Sequence, residues 1–215
     1  MKAFVSWSGG KETVLALYKL RDKIKPLYLL NMVSEDGDRS RSHGLNIDLI
    51  KEQSKAIGIP IIQRKAAWEN YEEKFKEAIS DMKKEDIGIG VFGDIDIQEH
   101  REWVERVCKE MNIEPVMPLW NKEREEILRE FIDAGFKAII VSTEPSYKEL
   151  LGQEIDESLL SRLKDYKDFD LCGEKGEYHT YVYDGPIFQD AVKIGTGEKI
   201  TKRGKGFLEL RLKNK

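Results

Sequence analysis

The sequence predicts an α/β protein: a doubly wound, mostly parallel sheet followed by a small C-terminal α+β part. Three observations carry that prediction. Short runs rich in Val and Ile alternate with longer stretches of helical period over the first two thirds of the chain. Several of the short runs are apolar on both faces, as strands of a helix-covered parallel sheet are. After residue 155 the pattern turns polar and glycine-bearing, with hairpin-like strands.

Taken in order, the expected strands are Lys2–Ser6, Leu27–Val33, Pro60–Arg64, Ile87–Gly93, Glu114–Pro118 and Lys137–Ser142. Helices fall between them near 11–23, 45–57, 70–84, 98–111 and 122–134. In the fourth, His100, Trp103, Val104, Val107, Cys108 and Met111 form one apolar stripe at helical spacing, which favours a packed His100. Gly58-Ile59-Pro60 and Gly135 mark helix ends. Beyond them Ile155–Tyr166 reads as a helix, and Tyr178–Tyr183, Ala191–Ile194 and Phe207–Leu212 as strands. Turns are expected at Asp184-Gly185-Pro186 and Gly195-Thr196-Gly197. The expected division is a sheet domain over residues 1–143 and a smaller part over 144–215.

Composition narrows the classes. Of 215 residues, 40% are hydrophobic and 35% charged, which is globular rather than disordered. The 36 basic against 40 acidic residues give a net charge of −4, so affinity does not rest on bulk attraction to nucleic acid or anionic lipid. No apolar run has the length of a membrane span or a leader, and a cytoplasmic protein is expected. Cys108 and Cys172 form no CxxC pair, so neither a disulfide framework nor a zinc ribbon is indicated.

Sheets of this kind bind ligands beyond the carboxyl ends of their strands. The strongest signal lies there: Ser6-Trp7-Ser8-Gly9-Gly10-Lys11-Glu12-Thr13, between the first strand and the first helix. Two glycines let backbone approach an anion closely, and the helix N-terminus aims free N–H groups at the same point. Ser8 adds a hydroxyl and Lys11 a positive charge, which suits a phosphate. The spacing is neither that of a Walker loop nor GxGxxG. A tight turn with a solvated lysine is the plainer alternative.

A second block, Cys172-Gly173-Glu174-Lys175-Gly176-Glu177-Tyr178-His179-Thr180, precedes Tyr183-Asp184-Gly185-Pro186-Ile187-Phe188. Two carboxylates and an imidazole around a flexible glycine suit a cation, an ammonium or a proton-transfer role. On a strand from Tyr178, Glu177 and His179 share a face. A charged turn opening a hairpin explains the spacing about equally well.

The first block resembles the SGGK[DE]S pyrophosphate loop of the N-type ATP pyrophosphatases, with Glu12 and Thr13 where Asp and Ser are usual. The second resembles the glutamate-rich stretch and DGPxF of the diphthine–ammonia ligase family within that superfamily. Pro118-Leu119-Trp120 and Leu151-Gly152-Gln153-Glu154-Ile155-Asp156 are similar to further family motifs, so the resemblance spans nearly the whole chain. It implies an adenine nucleotide alpha hydrolase-like (HUP) fold and an AMP-forming ligase. ATP would adenylate a carboxylate, and ammonia would displace AMP. The implied acceptor is diphthine on elongation factor 2.

On that resemblance, Ser6, Ser8, Gly9, Gly10, Lys11, Glu12, Thr13, Met32 and His43 are candidates for nucleotide binding. Lys11 stabilises departing charge, and Mg2+ bridges the phosphates with metal ligands left unassigned. Met32 has ordinary core burial as its alternative. His43, beside Arg39 and Arg41, is placed to cover phosphates or attract an anionic substrate. Asp94, Asp96, Glu174, Glu177 and His179 are candidates for substrate binding, the last three also for handling the proton of ammonium. His179 stands where the diphthamide branch favours Glu. A related enzyme of corrinoid (vitamin B12) salvage is therefore the alternative, and a non-catalytic ATP-binding sensor is the alternative of another class. Oligomeric state is not fixed by the sequence, which leaves a homodimer open.

Overall fold

The computed structural model describes residues 1–202 and 204–213. Five parallel strands form the first sheet in the order β3-β2-β1-β4-β5, being β1 Lys2–Ser6, β2 Lys25–Val33, β3 Ile61–Lys65, β4 Ile89–Val91 and β5 Glu114–Val116. The connecting helices are α1 Lys11–Leu20, α2 Ile47–Ile57, α3 Tyr71–Met82 and α4 Gln98–Glu110, with α5 Arg124–Asp133 following β5. Strand alternation divides the core. Ala3 and Val5 of β1 pack with Val14, Leu15 and Ile50 of α1 and α2, while Phe4 packs with Phe75, Ile79 and Val107 of α3 and α4. The sheet is thus covered on both faces, as continuous apolar strands require.

The chain runs outward from β1 to β3, then returns to β4 on the other side of β1. The strand order therefore reverses between β1 and β4, and the loops leaving their carboxyl ends diverge to open a crevice. Gly93 is needed there, because a Cβ on it would lie 2.9 Å from the Thr13 backbone nitrogen. It lets the β4 loop run against the start of α1.

A second sheet, antiparallel throughout, has the order β7-β6-β9-β8, with β6 Lys137–Thr143, β7 Tyr178–Asp184, β8 Ile194–Lys202 and β9 Lys205–Leu212. The helix α6 Glu157–Leu163 lies between β6 and β7. Several sequence expectations need correction. Ala191-Val192-Lys193 is not strand, and β8 starts only at Ile194. The run 137–142 does not extend the parallel sheet; it pairs with β7 and β9. The expected break after residue 143 thus falls at the end of a strand belonging to the second sheet, and the change of sheet lies between β5 and β6. Gly195-Thr196-Gly197 is not a turn but part of β8, at a register shift between Thr196 and Lys199. Glycine is tolerated on such an edge strand, and a Cβ on Gly197 would stand 3.1 Å from that of Glu209 across the pair.

The two sheets share one core. Leu151, Leu160, Tyr178, Tyr181 and Leu208 cluster with Val5, Leu15 and Leu49. His100 is not packed in the α4 stripe. It lies in the first turn, beyond the sheet, and is exposed, with its Nδ1 3.2 Å from Asp94. Among the described residues no helix is long and apolar enough to cross a membrane.

Candidate active site at the carboxyl ends of β1 and β4

The loop after β1 is held by its own side chains and by the second sheet. Gly9 has φ +83°, and a Cβ there would come within 2.5 Å of Ile50 and 2.8 Å of Gln53. The Ser8 hydroxyl accepts from the Gly10 N–H at 3.2 Å and lies 3.3 Å from the Thr13 hydroxyl. Gly10 supplies no side-chain cap to α1, and the first N–H of the helix, that of Lys11, is taken instead by the Thr180 hydroxyl of the second sheet. Gln53, fully buried, donates to the carbonyls of Gly9 (2.9 Å) and Val182 (2.6 Å) and accepts from the Trp7 indole (3.0 Å). The Val182 N–H donates to the Gly9 carbonyl at 3.0 Å.

Lys11 is the junction. It is 2% exposed; its Nζ lies 2.5 Å from both the Cys172 carbonyl and a Glu12 carboxylate oxygen, and 4.4 Å from the centre of the Tyr178 ring. Its backbone N–H donates to the Thr180 hydroxyl at 3.1 Å. Burial, the largest single influence, would lower its pKa, but the Glu12 carboxylate together with Tyr178 and Cys172 more than offsets that and holds the ammonium charged. The first and second sequence blocks are thereby brought into one site.

Electrostatics separates two neighbourhoods around Lys11. On one side, Glu174 is raised to about 7, chiefly by burial and then by the Glu12 carboxylate, with Asp94 and Asp170 adding to it. Asp94 in turn holds the His100 imidazole above its ordinary value through their hydrogen bond. On the other side, His43 and His179 stack with centroids 4.7 Å apart. Burial lowers His179 to about 4 and His43 well below the usual imidazole range, so both are neutral. A Cβ on Gly10 would overlap the His43 ring, so His43 packs directly against the glycine loop. Its Nδ1 is buried without a hydrogen-bond partner.

The remaining expected site residues sit apart from this junction. Ser6 ends β1, half-buried. The Met32 side chain packs in the α3–α4 core cluster, and its carbonyl accepts the Arg41 N–H at 2.9 Å. Asp96 is exposed and bound through both oxygens by Arg124, at 2.5 and 3.0 Å. Glu177 is 5% exposed; one oxygen accepts the Asp170 N–H at 3.1 Å and the other has no partner.

Three site residues escape the sequence reading. Arg124 also bonds the buried Asp170 through its Nε at 2.6 Å, and its carbonyl lies 3.5 Å from the Cys172 thiol. Asp170 accepts the Cys172 N–H at 2.9 Å, shaping the turn whose carbonyl faces Lys11. Gln53 is the one that left a signal: a polar residue in the buried stripe Leu49, Ile50, Gln53, Ile57 of α2. Cys172 offers no thiolate, since burial pushes its pKa far up.

A parallel sheet with a glycine loop feeding a helix N-terminus at its switch point defines a Rossmann-like α/β protein whose glycine loop opens on the crevice. Residues 1–115 match the family model described as the diphthamide synthase N-terminal domain, and residues 123–215 match that of the diphthamide synthase C-terminal domain. The chain belongs to the diphthamide synthase family. Among curated relatives, the diphthine–ammonia ligase of Bos taurus is 29% identical over 179 residues, covering 76% of this chain and 66% of that protein. That of Homo sapiens is 32% identical over 148 residues, 62% of this chain and 54% of that protein. The Schizosaccharomyces pombe ligase is 25% identical over 232 residues, 96% of this chain and 38% of that protein. The chain therefore spans between 38% and 66% of the length of these relatives. A solved chain from Methanocaldococcus jannaschii, described as a predicted subunit of tRNA methyltransferase, superposes with a TM-score of 0.42 at 17% identity, covering 84% of this chain and 95% of that one.

Proposed function

We propose that this chain is an AMP-forming carboxylate–ammonia ligase acting in diphthamide formation, with diphthine on elongation factor 2 as acceptor. The observation that supports it most directly is Lys11, which ties the glycine loop to the Cys172–Thr180 segment and so puts an anion-binding loop beside a protonatable carboxylate. The family and the relatives' name, diphthine–ammonia ligase, support diphthine as the acceptor.

In the first step a carboxylate oxygen attacks the α-phosphorus of ATP, giving an acyl-adenylate and pyrophosphate. Ser8, the Gly9–Gly10 backbone and the α1 N-terminus past the Thr180-bound Lys11 N–H receive phosphate oxygens, and the buried Lys11 ammonium lies beneath them as fixed positive charge. Preorganised donors and charge of this kind are worth about 3–4 kcal/mol of barrier each. Among the described residues no three His, Cys, Asp or Glu side chains form a metal-binding group. Glu12, whose carboxylate sits at the start of α1 beside the loop, would be the residue to hold an Mg2+ ion, which would supply charge neutralisation there.

In the second step ammonia attacks the acyl carbon and AMP leaves. Ammonium must lose a proton before it attacks, and a carboxyl poised near 7 accepts one at neutral pH. Glu174 takes this role, with Glu12 and Asp94 drawing the cation to it. Glu177 holds the Asp170 turn rather than the substrate.

The test follows ATP products by chromatography and the acceptor by mass, with Mg2+, ammonium and diphthine-bearing elongation factor 2. AMP formed in step with amidation is expected, and Lys11→Ala should lose it by a factor of about 100 or more. ADP in place of AMP would overturn the reading, as would wild-type turnover in the Lys11 variant.

A further inference from the structure

A cavity of about 740 Å³ lies between the segment from Ser34 to Leu49 and the β8–β9 hairpin, and the function proposed above leaves it unused. Its size is that of a small-molecule or side-chain site. Leu45, Leu49, Val141 and Phe207 give it apolar walls, and Arg39, Lys202, Lys205 and Arg211 bring four cations to its lining. Two carboxylates also line it. Glu209 pairs with Arg211 at 3.2 Å, and Asp36 accepts from Ser34 and from the Asp38 N–H. Lys202 and Lys205 have no carboxylate partner among the described residues. At one end the cavity reaches His43, which stacks on His179 and packs against Gly10 of the phosphate loop.

We propose that this cavity receives the acceptor, a carboxylate-bearing arm of a protein, and leads it past the stacked His43–His179 pair to the glycine loop. The inference rests on the adenylation reading and adds where the acceptor enters. Charge decides the direction of approach. A carboxylate coming in on the Lys11 side would meet the carboxylates of Glu12 and Asp94 and, above about pH 7, that of Glu174, while the cavity offers the unpaired cations of Lys202 and Lys205. An ammonium ion has the opposite preference. Alternation along β7 keeps the two routes apart: Tyr178 and Thr180 face Lys11, and His179 turns away toward His43. The orphaned Nδ1 of His43 is a polar group at the inner end with no partner inside the protein.

The test measures binding of fluorescently labelled, diphthine-bearing elongation factor 2 by anisotropy, independently of turnover. The double variant Lys202→Glu/Lys205→Glu should weaken binding about tenfold or more, with the loss shrinking as salt rises, while ATP affinity by calorimetry is unchanged. A second variant, Lys205→Cys, is labelled with a bulky maleimide after folding; both native cysteines are buried, so the label goes to the cavity. Labelling should abolish acceptor binding and leave ATP binding intact. Unchanged acceptor binding in either variant overturns the inference, and so does a matching loss of ATP affinity, which would make the cavity part of the nucleotide site. Failure of the adenylation reading shows separately, as absence of AMP from wild-type protein that binds both ligands.

Discussion

Glu174 and His179 lie five residues apart and titrate in opposite senses. The Glu174 carboxyl is raised from 4.5 to about 7, so between those values the folded state holds a proton that the unfolded state has lost. Stability from this group falls as pH rises through that window, and the full cost is present above 7. Glu174→Gln should therefore gain on the order of 1–2 kcal/mol over wild type at pH 8, a figure reduced for partial solvent access, and nothing at pH 4. His179, lowered from 6.5 to about 4, works the other way: the unfolded state takes up the proton first, so stability is lost as pH falls through that range. His179→Gln should flatten the acid limb of the same curve. Urea unfolding of the two variants across pH 4–8 checks both, and parallel curves for wild type and variants would refute the assignments.

At the scale of elements, the site is assembled by side chains that bridge loops rather than by any one loop. Arg124, at the start of α5, binds Asp96 from the β4 loop and the buried Asp170 from the segment before β7. Those bonds raise the Arg124 guanidinium and hold Asp96 below the usual carboxylate range. Removing one member of a buried pair strands the other, so Arg124→Met should cost about 3 kcal/mol in urea unfolding. Ammonium-dependent turnover should fall as well, because the Asp170 turn that presents Cys172 to Lys11 and supports Glu177 is released. Loss of stability with unchanged turnover would assign Arg124 to the fold alone.

Over the whole molecule, the two sheets share one core, although the two family models divide the chain between residues 115 and 123, and one folding unit is expected. A single core cluster runs from Val5 and Leu15 to Tyr181 and Leu208, and Gln53 and Lys11 add polar ties across it. A fragment of residues 1–121 would expose that surface to water, and it should show no cooperative thermal transition by circular dichroism. In the full chain, tryptophan fluorescence and circular dichroism should report one coincident unfolding transition. A cooperative melt of the fragment, or two separated transitions, would show that the parts are independent.

Much of this was legible in the amino-acid order. Period and composition determined the doubly wound class, and Ser8-Gly9-Gly10-Lys11 after an apolar strand marked the glycine loop that leads into α1, because both depend on local geometry. The glutamate-rich segment was legible as a candidate site; in the fold Glu177 accepts the Asp170 N–H and Asp96 is bound by Arg124. Only the tertiary structure decided that 137–143 joins the second sheet, since an apolar run reads the same in a parallel or an antiparallel partner. It also decided that Lys11 is buried under Glu12 and Cys172, that Arg124 holds Asp170, and that His43 stacks on His179. Those contacts join residues between 46 and 161 positions apart, apart from the Lys11–Glu12 pair, and no local periodicity encodes such a meeting. They are settled when the shared core closes and brings the second sheet against the first.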